Sequence, residues 1–95
     1  MSPRIVIAEA SVPRLPRGVR LKFDKPRDQW VVLAPERMFE LDAIAHAIVR
    51  GCDGAASVAD IVDGLADAYG APREVISCDV IKLLQDFADK GVIVA

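Results

Sequence analysis

Side chains able to move protons or attack electrophiles are sparse in this chain, and they do not converge. His46 is the sole histidine. It sits between Ala45 and Ala47 in a helical pattern, with Asp42 four residues before it and Arg50 four after. A surface or boundary histidine making i,i+4 contacts accounts for it without a general-base role. Cys52 and Cys78 are separated by twenty-five residues and form no C-x-x-C motif. Two thiols and one imidazole fall short of the four ligands of a structural zinc site. They read as reduced thiols, semi-buried on helices and behaving as small apolar groups. Ser2, Ser11, Ser57 and Ser77 show no arrangement that makes a nucleophile. Gly51-Cys52-Asp53-Gly54 lacks the lysine and the flanking strand of a phosphate-binding loop. Neither catalysis, a bound metal nor a cofactor is expected.

The chemistry that remains belongs to the backbone. From Gln29 to Leu41 the chain reads Q-W-V-V-L-A-P-E-R-M-F-E-L. Pro35 has no N–H and holds Ala34 extended, so an apolar strand stops there. The run Arg37, Met38, Phe39, Glu40, Leu41 is too short for a central strand and fits a sheet edge. Unpaired N–H and C=O groups beside apolar side chains are what an extended peptide needs to dock by adding a strand. Alternation sends Phe39 and Leu41 to one face and Met38 to the other.

The elements that must position this edge follow from periodicity. Val19, Leu21 and Phe23 alternate with Arg20, Lys22 and Asp24, as a half-buried strand requires. Asp24-Lys25-Pro26-Arg27-Asp28 is turn chemistry, and Gln29 to Leu33 returns as the second strand, with Trp30 and Val32 opposite Val31 and Leu33. A first helix starts at about Asp42 with Leu41, Ile44, Ala45, Ile48 and Cys52 at helical spacing. Ser57 caps a second helix, with Asp60 completing a shortened capping box and Gly70 stopping it. Pro72 opens a third, whose stripe is Ile76, Val80, Leu83, Leu84 and Phe87, ended by Gly91. Val92-Ile93-Val94 is a last β-prone run able to return to the sheet. The fold class is α+β: a winged-helix-like domain with a small antiparallel three-stranded sheet followed by a three-helix bundle. Residues 1–16, with Pro3, Pro13 and Pro16 and no sustained period, read as a flexible arm or linker, and 17–95 as the domain.

Composition agrees with one soluble domain of 95 residues, 53% hydrophobic and 27% charged. No apolar run approaches a membrane span, and Ile5 to Ala8 is too short for a signal peptide, so a cytoplasmic location is the default. Residues 1–27 carry seven basic side chains against two acidic ones, and the remainder five against twelve. A winged-helix nucleic-acid-binding regulator is the alternative, because three helices with a hairpin is a common regulator architecture. The third helix argues against it. Glu74, Asp79, Asp86 and Asp89 outnumber Arg73, Lys82 and Lys90 there, and phosphates would repel such a reading helix.

Three stretches carry a family resemblance: Pro13-Arg14-Leu15-Pro16-Arg17-Gly18-Val19-Arg20-Leu21, then Trp30-Val31-Val32-Leu33-Ala34-Pro35-Glu36-Arg37, then Asp53-Gly54 ahead of Val58-Ala59-Asp60-Ile61-Val62. Over roughly residues 13 to 94 the chain resembles the PqqD family of pyrroloquinoline quinone biosynthesis. The resemblance implies a precursor-recognition element that binds the ribosomal peptide PqqA and presents it to PqqE, a radical S-adenosylmethionine enzyme that joins a glutamate to a tyrosine in that peptide. It also implies a peptide held as an added strand against the third strand, over a groove bordered by helices. Carried onto this sequence, the docking strand is Arg37 to Leu41, and the pocket uses Phe39, Leu41, Ala45, Ile48, Val80, Leu83 and Leu84. Arg37 would pair with acidic residues of the peptide. Some members are fused behind PqqC, the final oxidase of the pathway, and the proline-bearing segment ahead of Arg17 would suit such a linker. The third helix and the C-terminal end are the expected surface for PqqE, and the basic hairpin is the other candidate.

Overall fold

Two hairpin turns and three helices, two of them with side-chain caps, set the architecture, which a computed structural model describes for residues 4–95. Residues 1–3 of the expected arm, Ser2 and Pro3 among them, lie outside the described residues. The order is β1 (Arg20–Asp24), β2 (Gln29–Ala34), β3 (Arg37–Leu41), α1 (Ala43–Arg50), α2 (Val58–Tyr69) and α3 (Arg73–Asp89). The sheet is antiparallel in the order β1-β2-β3. This is the α+β class read from the sequence; winged-helix-like fits it loosely, because the hairpin precedes the helices.

Register sorts the strand side chains onto two faces. Leu21, Val32 and Phe39 align in one row and Phe23, Trp30 and Leu41 in the next. The other face carries Arg20, Leu33 and Met38, then Lys22, Val31 and Glu40. Only the first face feeds the core: Val32 and Leu41 join it fully and Leu21 and Phe39 in part, whereas no residue of the second face does. The helices therefore cover one side of the sheet.

The helix ends obey their caps. Asp42 accepts from the Ala45 N–H at 2.7 Å, fixing where β3 becomes α1. Ser57 and Asp60 form the reciprocal capping box of α2. Gly70 closes α2 at φ 60°, a conformation that costs a residue without Cβ little.

Residues 4–16 do not trail as a flexible arm. Ile7 is buried in the core, and Gln85 of α3 holds the segment through both its amide atoms, accepting from the Ile7 N–H at 2.9 Å and donating to the Ile5 carbonyl at 2.8 Å. The carbonyls of Glu9 and Ser11 take the Ala59 and Val58 N–H groups, two of the donors that the start of α2 leaves free. Arg73 and Ser77 bond the Glu9 carboxylate and hold it below its ordinary pKa. The C-terminal run is corrected too. Val94 pairs with Arg14 at 2.8 and 3.0 Å rather than rejoining the sheet. Proline spacing gave no sign of these partners, since they lie far away in sequence.

Candidate peptide-binding site

Among the described residues, β3 is paired with β2 alone, so its outer side is an open edge. The β2–β3 connection is the two residues Pro35 and Glu36, the second at φ 62°. Proline followed by a positive φ is the type II pattern. In a two-residue hairpin the flanking pair, here Ala34 and Arg37, is the hydrogen-bonded one. Alternation then turns the N–H and C=O groups of Phe39 and Leu41 toward β2, and those of Met38 and Glu40 outward. The edge offers a guest strand two donors and two acceptors.

Past the end of β3, at Asp42, α1 and α3 leave a groove. One part, about 230 Å³, is lined by Asp42, Ile44, Ala45, Ile48, Asp79 and Leu83. It continues through Ile44, Ile48 and Asp79 into a deeper recess of about 170 Å³, closed by Leu65, Tyr69, Ile76 and Val80. Ile44 is half exposed at the mouth. An apolar side chain from an added strand would find room here.

The structure divides the expected site residues into four groups. Ala45 and Leu83 line the groove, and Ile48 and Val80, 2% and 1% exposed, are core residues at its floor. Leu41 and Leu84 lie behind it, 4% and 0% exposed, as core. Phe39 is half-buried, packing on Phe87 with ring centroids 5.7 Å apart, while Met38 and Glu40 point to the opposite face and are exposed. Arg37 is anchored: its Nη2 donates to the Lys90 carbonyl at the end of α3 at 2.6 Å, and its guanidinium lies 5.5 Å from the Phe39 ring. No carboxylate pairs with Arg37 among the described residues, so most of its N–H donors stay open to one.

Several lining residues were not singled out in the sequence. Ile44 and Ile76 were visible as stripe residues, but nothing marked them as groove rather than core. Asp42 and Asp79 put carboxylates at one end of the groove, with Arg37 and Lys90 near the start of β3. His46 lies at the boundary, half-buried: its ring stacks on Trp30 at 4.3 Å and its Nε2 is buried with no hydrogen-bond partner among the described residues. The cysteines also differ from the expectation of two semi-buried thiols. Cys78 is exposed, whereas Cys52 is buried just beyond α1, where desolvation and then Asp53 push its thiol up to about 12.

An open antiparallel edge beside a helical groove defines a class of small α+β modules whose sheet a guest strand can extend. The family model described as coenzyme PQQ synthesis protein D (PqqD) matches residues 29–93, and the chain belongs to the PqqD family. It is 54% identical over 92 residues to a PqqA binding protein of Rhodopseudomonas palustris, covering 96% of this chain and 90% of that one. It is 44% identical over 84 residues to the bifunctional coenzyme PQQ synthesis protein C/D of Methylorubrum extorquens, covering 88% of this chain and 23% of that longer protein. The solution structure of the PqqD truncation of Methylobacterium extorquens PqqCD, described as a functional, stand-alone RiPP recognition element, superposes with TM-score 0.81. That match is 42% identical and spans 94% of this chain and 95% of the other.

Proposed function

We propose that this chain is a non-catalytic chaperone of the cytoplasm that binds the precursor peptide PqqA along β3 and presents it to the radical S-adenosylmethionine enzyme PqqE. One observation carries the reading: β3 has an unpaired outer edge whose end leads, through Asp42, to a groove between α1 and α3. Relatives named as PqqA binding proteins support the ligand, and the C/D relative supports a place in the same pathway, alone or joined to PqqC. Main-chain bonds to Met38 and Glu40 supply affinity, and apolar anchors entering between Ile44 and Leu83 supply specificity. An acidic side chain of the peptide would meet Arg37, and a cationic one the Asp42 and Asp79 end.

A dissociation constant of about 1 μM or tighter, roughly −8 kcal/mol, is expected once ordering of the peptide is counted. Isothermal titration with a synthetic PqqA peptide measures it. Amide shift mapping then reads the place: residues 37–48 and the facing side of α3 move first. Shifts confined to the β1–β2 hairpin would refute the docking site.

A further inference from the structure

The face of the sheet turned away from the helices adds no residue to the main core, and side chains of β1 and the β1–β2 turn gather around Val31. Leu33 and Met38 stand on it with Val31 at its floor, 1% exposed, and Met38 is 40% exposed. Two shallow depressions of about 370 and 390 Å³ meet at Leu33. Arg20, Lys22 and Lys25 rim this apolar stripe, and none has an ion-pair partner among the described residues. The carboxylates nearby, Asp24 and Glu40, share the single Arg27 guanidinium at 3.4 and 3.0 Å, so four cations against two carboxylates leave this face a net positive charge. Free positive charge around an apolar centre fits an acidic-rimmed protein surface.

We propose that this outer face, Leu33 and Met38 rimmed by Arg20, Lys22 and Lys25, docks an acidic-rimmed apolar surface of the enzyme that modifies the bound peptide. The inference rests on strand addition at β3. Side chains of an added strand alternate between faces, so half of them enter the groove and the other half lie beside Met38 and Glu40. A partner on the outer face thus touches sheet and peptide together, a surface complete only when the peptide is bound. A second copy fits poorly face to face, because its three rim cations would oppose these three.

The test is the double variant R20E/K22E; both side chains are exposed and lie on β1, away from the peptide edge. Synthetic PqqA peptide and purified PqqE are the probes, titrated at two salt concentrations. The variant should keep peptide affinity within about twofold of wild type and bind PqqE at least about tenfold more weakly. Wild type should bind PqqE more tightly with peptide than without, and less tightly at higher salt. Unchanged PqqE affinity in the variant overturns the proposal. So does wild-type self-association, or binding of duplex DNA, that the variant abolishes. A wild type that binds PqqE but not the peptide sinks the strand-addition reading instead, and the composite surface with it.

Discussion

Replacing Glu40 by proline separates the two uses of the β3 backbone. Glu40 lies opposite Val31 in a pair that register makes non-hydrogen-bonded, so its N–H points to the open edge and not to β2. Proline removes that donor and leaves the β2–β3 ladder intact, the one situation in which a strand tolerates it. The fold loses the exposed Arg27–Glu40 ion pair at 3.0 Å, a contact worth about 0–1 kcal/mol. The guest strand loses more. One of the four outward groups of Met38 and Glu40 disappears, and a peptide carbonyl is left facing the proline ring at a cost of about 1–3 kcal/mol. That is roughly a tenfold to hundredfold weaker complex. Isothermal titration with PqqA peptide, run beside a thermal melt, reads both quantities. Glu40→Ala is the control: it deletes the same ion pair but keeps the N–H, and should bind like wild type. A folded Glu40→Pro protein that binds within twofold of wild type would refute strand addition at this edge.

Further outcomes follow from the same geometry. Ile44→Asp places a charge at the half-exposed groove mouth and should weaken peptide binding about tenfold while the protein still melts cooperatively; Leu41→Asp, at a core position 4% exposed, should unfold it. Glu36→Gly relieves a non-glycine residue at φ 62° and should stabilise by up to about 1 kcal/mol, raising the melting temperature by several degrees, as differential scanning calorimetry would show. Acid should loosen the packed N-terminal segment. Glu9, through Arg73 and Ser77, and Asp89, through Arg4, both titrate below their ordinary values, so their contribution is complete above the usual carboxylate pKa of about 4 and is lost as pH falls through their lower folded-state values. Urea melts between pH 6 and 2.5 should show the midpoint falling across the lower half of that range, and less so in Glu9→Gln.

Local chemistry determined a large share of this protein. The Pro35 turn, the Asp42 and Ser57 caps, the Gly70 stop and the alternation in the strands each act within a few residues, so element order and the β3 range could be read directly from the sequence. The motif around Trp30 to Arg37 carried the family for the same reason. What the sequence left undecided depends on contacts between distant residues. Residues 4–16 read as a loose arm because Gln85, Arg73 and Asp89, which hold them, lie 64 to 85 positions away. Leu41 and Ile44 share helical spacing in the sequence, yet Leu41 ends β3 as core and Ile44, on α1, opens the groove that α3 borders. Hydrophobic periodicity reports which face of an element turns inward, while the distance between two packed elements decides whether that face is sealed or left open to a guest.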